Sequence, residues 1–131
     1  MNELFIEAKV ENMDMVLSFI NERITGCTDK LSNQIGIVVD EVFSNISRYA
    51  YAPSTGFATI RVSAGDVLMI EFEDSGAAYD PLSKEDPDVS LPAEERSIGG
   101  LGVYMVKRLM DSVEYRRENG RNILTVKKRV R

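Results

Sequence analysis

Histidine and tryptophan are absent from the 131-residue sequence, and cysteine occurs once. Without histidine, the chain cannot form a Ser-His-Asp or Cys-His catalytic arrangement, a histidine-ligated metal site or a phosphohistidine of its own. The single cysteine, Cys27, excludes an internal disulfide and a cysteine-based zinc site, which is typical of a reducing compartment. Acid–base chemistry in this protein therefore falls to carboxylates.

Long hydrophobic runs are also lacking. No stretch approaches the ~18 apolar residues of a membrane span, and residues 1–4 lack the basic and apolar segments of a signal peptide. The 44% hydrophobic and 28% charged content is typical of a soluble globular protein. We expect one domain over residues 1–131, a cytoplasmic location and no membrane partner.

The two ends of the chain carry opposite charge. Residues 1–95 contain 18 acidic and six basic residues, whereas residues 96–131 contain three acidic and ten basic ones. The net charge of −5 argues against a general nucleic-acid binder. The basic C-terminal part favours an anionic ligand or partner, and a solvated C-terminal strand is the alternative explanation.

Hydrophobic periodicity predicts an α+β fold, with helices near residues 12–26, 30–52 and 103–110 and strands at 4–10, 57–63, 67–74, 113–116 and 123–130. This order favours a two-layer α/β sandwich. Its sheet would be mixed, mostly antiparallel and of about five strands, with three main helices on one face. Residues 75–99 lack periodicity, and a loop that long is usually functional, often a lid; a disordered insertion is the alternative.

The second predicted helix carries a polar stripe of Glu41, Asn45 and Arg48, spaced i, i+4, i+7 beside the apolar residues Val42 and Ile46. A carboxylate and an amide one turn apart can place a base beside an oxygen directed at Mg²⁺. Three ordinary polar residues on a half-exposed helix are the alternative.

The second candidate segment is Asp74-Ser75-Gly76, where a strand ends. A carboxylate followed by glycine places an acceptor beside backbone that a flat ligand can approach, and an amino group on a heterocycle is a natural partner. An ordinary turn is the alternative.

The third candidate is the glycine run 99–102, which opens the last helix. Free amide N–H groups and the positive end of a helix favour phosphate oxygens. Gly102 is followed by Val103 rather than Lys-Ser or Lys-Thr, which excludes a P-loop, and Met105 excludes a dinucleotide fingerprint. A glycine-rich helix entry without a ligand is the alternative.

The order of the three segments resembles the Bergerat fold, the ATP-binding domain of DNA gyrase, the ninety-kilodalton heat-shock chaperone, sensor histidine kinases and MutL proteins. Within this superfamily, the chain is most similar to the small bacterial anti-sigma factor serine/threonine kinases. The resemblance covers essentially the whole chain and depends on Asp40-Glu41-Val42-Phe43-Ser44-Asn45, on Asp74-Ser75-Gly76 and on the segment from Gly99 to Asp111.

The resemblance implies a role for each matched residue. Glu41 would be the general base and Asn45 the Mg²⁺ ligand, while Asp74 would bind the exocyclic amino group of adenine. Gly76 would let the adenine ring lie close to the backbone.

The same resemblance places the phosphates of ATP at the glycine run. Gly100 and Gly102, with the amides of Leu101 and Val103, would hold these phosphates. An ATP lid would cover them.

The implied lid spans about residues 81–98. Arg96, near its end, is expected to contact the γ-phosphate, an expectation that comes from its charge and position rather than from a motif.

These features predict an ATP- and Mg²⁺-dependent serine/threonine kinase and anti-sigma regulatory factor of a partner-switching system. Its partners would be a sigma factor and an anti-sigma antagonist that it phosphorylates on Ser or Thr. The sequence does not distinguish a monomer from a homodimer. Because many of the kinases have His where this chain has Tyr49, an ATP-binding regulatory module with little or no kinase activity is the alternative. A third interpretation, a detached catalytic domain of a histidine kinase, has less support because the chain has no acceptor His.

Overall fold

The computed structural model describes residues 2–24, 26–83 and 101–130. In this part of the chain the strands and longer helices are β1 (Asn2–Glu7), α1 (Met13–Asn21), α2 (Asp29–Asn45), β2 (Phe57–Ser63), β3 (Val67–Asp74), α3 (Leu101–Leu109), β4 (Ser112–Glu118) and β5 (Arg121–Arg129). Short 3-10 turns occur at Val10–Asn12 and Pro81–Ser83, and a π-helical turn, Ile46–Ala50, continues α2.

The five described strands form one sheet in the order β1-β2-β3-β5-β4, and each neighbouring pair is antiparallel. The core lies between one face of this sheet and the helices, where alternate strand residues such as Ile60, Ile70 and Val126 are fully buried. These side chains pack with apolar residues of α1, α2 and α3. The predicted two-layer α+β sandwich is confirmed, with antiparallel pairing throughout the described strands.

Helix α2 begins at a side-chain cap and ends in a π turn. The Thr28 side chain caps it by accepting a hydrogen bond from the Leu31 N–H at 3.1 Å, which satisfies one of the free donors of the first turn. Its buried stripe includes Val38, Val39 and Phe43. Regular α geometry stops at Asn45, and the π turn then carries the chain to Ala50. The sequence predicted a continuous helix to residue 52, and such π turns are frequent at functional sites.

The outer face of the sheet carries a charged cluster around Arg61 on β2. Its guanidinium lies 2.9 Å from Glu3, 3.0 Å from Glu71 and 3.2 Å from Glu73. Burial acts to lower the pKa of Arg61, but the hydrogen bonds and charges of these carboxylates outweigh it and raise the pKa above its ordinary value. The guanidinium therefore ties together β1, β2 and β3 on the face opposite the helices.

Part of the sequence-based expectation lies outside the described residues. This holds for Arg96, for Gly100 and for all of the expected lid except residues 81–83. Among the helices of the described ranges, none combines the length and the apolar character that a bilayer span requires.

Candidate functional site

A cavity of about 520 Å³ opens between the helical layer and the inner face of β3, β5 and β4. This volume lies within the range of about 300–1,000 Å³ that is usual for small-molecule sites. Its apolar walls include Val42, Ile46, Ala50, Phe72, Val103, Val106, Val113 and Leu124, and its polar lining includes Glu41, Asn45, Asp74, Tyr115 and Asn122. An apolar slot with a few polar groups suits a flat heterocycle that needs one specific contact.

Glu41 and Asn45 line the cavity from the last turns of α2. Both are half-buried, and the Asn45 Nδ2 donates a hydrogen bond to the Glu41 Oε1 at 3.2 Å. The i, i+4 spacing brings them together as the sequence predicted. Because its amide nitrogen faces Glu41, Asn45 keeps its Oδ1 for another partner.

Arg48 does not join this pair. It lies in the π turn, is exposed and is not part of the cavity wall. The sequence-based placement of Arg48 on the same stripe as Glu41 and Asn45 assumed that regular α-helical spacing continues beyond Asn45. Because the π turn widens the helix from Ile46 onward, the residue seven positions after Glu41 no longer follows the same stripe.

The first turn of α3 packs directly on Glu41. A Cβ placed on Gly102 would fall on the Glu41 carboxylate, so only glycine allows this approach. Leu101 begins the helix, and Val103 is buried in the cavity wall. The N–H groups of a first helical turn lack partners within the helix and favour anions. The structure therefore brings the N-terminal end of a helix beside the carboxylate–amide pair.

Asp74 lies in the cavity where β3 ends, and it is 6% exposed. Both hydrogen bonds that the described residues make to its carboxylate end on Oδ1: the Gly76 N–H donates at 2.9 Å and the Asn122 Nδ2 at 3.0 Å. Oδ2 is therefore the oxygen available to a ligand. An acceptor for an amino group, the role expected of Asp74, requires such an oxygen.

Gly76 is also required by the packing of the fold. A Cβ at this position would overlap the main-chain carbonyl of Ala50, whose oxygen also accepts a hydrogen bond from the Ala77 N–H at 3.1 Å. Gly76 is not among the residues that line the cavity. The missing side chain lets the turn after β3 pack against the π turn.

Sequence reasoning missed three residues of the β4–β5 hairpin that hold this turn. Besides its bond to Asp74, Asn122 accepts a hydrogen bond from the Tyr115 hydroxyl at 2.6 Å. Arg117 Nη1 donates to the Gly76 carbonyl at 2.9 Å. The available signal was a polar residue at position 122, which shares the core-facing side of β5 with Leu124 and Val126.

The oxygen atoms around Glu41 and Asn45 suit a Mg²⁺ ion held jointly by the protein and by phosphate groups better than a metal ion held by protein side chains alone. Within residues 2–24, 26–83 and 101–130, no group of three His, Cys, Asp or Glu residues is placed to hold a metal ion. Mg²⁺ commonly takes one or two protein oxygens and completes its shell with phosphate oxygens and water. The free Oδ1 of Asn45, beside the Glu41 carboxylate, provides such an oxygen.

Curated relatives are kinases in name. The serine/threonine-protein kinase BtrW of Bordetella bronchiseptica is 29% identical over 100 residues, covering 74% of this chain and 70% of that protein. The serine-protein kinase RsbW of Bacillus cereus is 29% identical over 133 residues, covering 95% of this chain and 82% of that protein.

Solved structures support the fold. The blue-light activated histidine kinase EL346 of Erythrobacter litoralis matches 79% of this chain with a TM-score of 0.57 and 20% identity. The match covers 32% of that protein, so this chain spans about a third of its length. A histidine kinase domain of the same protein matches 92% of this chain, again with a TM-score of 0.57, at 19% identity and with 60% of that chain covered.

The family comparison covers nearly the whole chain. The model of the histidine kinase-like ATPase domain matches residues 6–128, a range that includes the cavity, both ends of α2 and the β4–β5 hairpin up to residue 128. The resemblance inferred from the three sequence segments is thereby confirmed: this chain belongs to the histidine kinase-like ATPase domain family.

Proposed function

We propose that the chain binds ATP in this cavity and transfers its γ-phosphoryl group to a Ser or Thr of a partner protein. The observation that carries the proposal is that one cavity contains two polar groups. One is the buried Asp74, and the other is the Glu41–Asn45 pair of α2, against which the first turn of α3 packs. The first group suits a base with an exocyclic amine, and the second suits phosphates and a proton transfer.

Adenine would enter the apolar part of the cavity. Phe72, Val106 and Leu124 would contact the faces and edges of the ring, since they line the wall on the sheet and helix sides. The 6-amino group would donate to Asp74 Oδ2, because Oδ1 already accepts two hydrogen bonds. A ring in this position gives binding energy through apolar contact and selectivity through one polar contact.

The phosphates would extend toward the first turn of α3, where free N–H groups favour anions. Glu41 would accept the proton of the attacking Ser or Thr hydroxyl. The oxygen of that hydroxyl would form a bond to the γ-phosphorus while the bond from the γ-phosphorus to the β–γ bridging oxygen breaks, which releases ADP. Most of the rate enhancement in such reactions comes from positioning and charge stabilisation. In this proposal Gly100 and Arg96 assist at the phosphates.

Asn45 would provide a protein oxygen for Mg²⁺, and the ion, when bound, neutralises charge on the phosphates. The hydrogen bond from Asn45 Nδ2 to Glu41 fixes which end of the amide faces the ion. Exchange of this asparagine for aspartate would add a second negative charge beside Glu41 and disturb the base.

Two observations support the partner assignment: the names of the relatives, and the resemblance of the sequence to the anti-sigma factor kinases. Serine and serine/threonine kinases are the named functions of the two curated relatives. We accordingly place this chain in a cytoplasmic partner-switching system, where it would bind a sigma factor and phosphorylate the anti-sigma antagonist on Ser or Thr.

The proposal is tested with labelled ATP, Mg²⁺ and the candidate antagonist. Glu41→Gln keeps the side-chain size and removes the base, and we expect phosphoryl transfer to fall at least ~100-fold with little change in ATP affinity. Asp40→Asn is the matched control, because this neighbouring carboxylate is exposed and does not line the cavity. It should retain transfer.

Each outcome decides a different part of the proposal. Label on the antagonist that depends on Glu41 supports the kinase. Tight ATP binding without transfer by the wild-type protein replaces the kinase with an ATP-binding regulatory module, and the absence of ATP binding overturns the assigned site altogether.

A further inference from the structure

Asn122 is a buried polar residue on the core-facing side of β5, directly opposite Asp74 in the antiparallel register. It is 7% exposed and shares this side of the strand with Leu124 and Val126. A buried amide at such a position loses its contacts with water and is tolerated only when protein groups replace them. Its partners therefore indicate its function.

The amide of Asn122 is fully engaged. Nδ2 donates to the Asp74 Oδ1 at 3.0 Å and to the Ala77 carbonyl at 2.8 Å. Oδ1 accepts from the Tyr115 hydroxyl at 2.6 Å and from the Tyr79 N–H at 3.3 Å. An amide has two hydrogens to donate and one oxygen with two acceptor sites. All four positions are used, so Asn122 has no group left for a nucleotide.

These partners also fix the orientation of the amide. A reversed amide would place its oxygen against the Asp74 carboxylate and the Ala77 carbonyl, and its NH₂ group against the Tyr79 N–H. Acceptor would then face acceptor, and donor would face donor. The hydrogen-bond network thus permits one orientation, in which Nδ2 holds Oδ1 of the aspartate.

We infer that Asn122, oriented by Tyr115, is a positioning residue that sets the base selectivity of this cavity by holding Asp74 with Oδ2 toward the ligand. The inference rests on the proposed ATP site. Adenine carries an amino donor at position 6, whereas a 6-oxopurine carries an acceptor there. A carboxylate oxygen is an acceptor, so it pairs with the first and opposes the second.

The selectivity for a 6-amino over a 6-oxo purine would then depend on how firmly the Asp74 carboxylate is held. If the carboxylate can rotate, the contact with the 6-amino group weakens, and the opposition to a 6-oxo group weakens as well. ATP affinity should then fall while the affinity for a 6-oxopurine nucleotide falls less or rises. A purely structural role of Asn122 would lower both affinities in parallel.

The experiment compares ATP with inosine triphosphate, which has an oxo group at position 6 and a hydrogen on N1 but the same ribose and phosphates. Dissociation constants for both are measured by titration on the wild-type protein, on Asn122→Leu and on Tyr115→Phe. We expect the wild type to prefer ATP, Asn122→Leu to lower the ratio of the two affinities at least ~10-fold, and Tyr115→Phe to lower it by a smaller factor.

Thr125→Val is the matched control. Thr125 is a buried polar residue of the same strand, 6% exposed, on the opposite face of the sheet. Its substitution should leave the affinity ratio unchanged even where it changes the stability. Tyr115→Phe keeps the inference testable if Asn122→Leu does not fold, because it removes a single hydroxyl from a half-buried ring.

A wild-type ratio in a folded Asn122→Leu variant, or in Tyr115→Phe if only that variant folds, overturns the inference. A parallel loss of both affinities overturns it as well. These results leave the proposed ATP site intact if Asp74→Asn still weakens ATP binding. Absence of ATP binding by the wild-type protein instead overturns the proposed function, and the inference falls with it.

Discussion

Replacing Gly102 with alanine should impair the site while changing stability little. A Cβ at this position falls on the Glu41 carboxylate, which lies at the end of a flexible side chain and can rotate away without moving backbone. A Glu41 side chain pushed about 30° off its staggered rotamer costs about 0.5–1.5 kcal/mol. The lost hydrogen bond from Asn45, 3.2 Å long, costs a similar amount. Alanine recovers up to about 1 kcal/mol over glycine in a helix.

The expected net loss in the free energy of unfolding is therefore about 1 kcal/mol, measured by urea denaturation. Because Glu41 is displaced, phosphoryl transfer from labelled ATP should fall ~100-fold, the smaller end of what a general base contributes. Titration with ATP and Mg²⁺ on the same variant shows whether binding falls along with transfer.

Gly36→Ala is the matched control. Gly36 lies inside α2, and a Cβ there meets no atom within 4 Å. It should gain up to about 1 kcal/mol of stability and keep the wild-type transfer rate and ATP affinity. If Gly102→Ala retains both the wild-type rate and affinity, or if the two variants behave alike, the assigned contact between α3 and Glu41 is refuted.

Three further substitutions probe the parts of the fold that position the site. Gly76→Ala should lower the free energy of unfolding by about 1–3 kcal/mol in urea, because the new Cβ meets the fixed backbone of Ala50; ATP affinity should fall with it, and wild-type stability would contradict the packing. Arg61→Met should destabilise by about 1–3 kcal/mol at constant ATP affinity, since its three carboxylates lie on the outer face; a loss of ATP affinity would contradict this. Tyr51→Phe removes a hydroxyl bonded to the carbonyl at the start of β2 (2.6 Å) and to the N–H after β3 (2.7 Å), so its urea midpoint should fall, and an unchanged midpoint would show that water replaces these bonds.

Arg61 is not expected to make this stability depend on pH. Its pKa is raised in the folded protein, so its contribution is fully present below the ordinary arginine pKa and is lost only as pH rises through the raised value. Both values lie above the pH range in which proteins are ordinarily studied. Arg61 is therefore charged at both pH 6 and pH 8, and the loss in the free energy of unfolding caused by Arg61→Met should be the same at the two pH values.

Local patterns predicted the central hairpin well. The bounds 67–74 agree with β3, and 57–63 agree with β2. Alternation of apolar residues across a two-sided sheet is strong in both strands, and the short connection with Gly65 leaves little freedom in where they end. The same locality explains why Glu41 and Asn45 were placed together, since one helical turn relates them.

The sequence predicted less well wherever geometry departs from a regular repeat. Arg48 was assigned to the site because an α-helix was extrapolated through Ile46, but the π turn changes the direction of later side chains. No simple propensity indicates such a turn, because it depends on how the end of α2 packs on the remaining fold.

Contacts between distant segments were beyond local patterns altogether. Asn122 is 48 positions from Asp74 in the sequence, and the pair forms only because β5 lies beside β3 in the sheet. Gly76 was identified for its missing side chain, but its neighbour, Ala50, becomes evident only when the π turn and the end of β3 are seen together. Strand order, rather than composition, determines both contacts.

The proposed function requires that ATP occupies the cavity with its base on Asp74. It is tested most directly by calorimetric titration of ATP into the wild-type protein and into Asp74→Asn, with Asp40→Asn as the control and unfolding midpoints recorded for all three. We expect saturable binding to the wild-type and control proteins and at least ~10-fold weaker binding to a folded Asp74→Asn. Equal affinity in the three proteins, or no binding to the wild type, would contradict it.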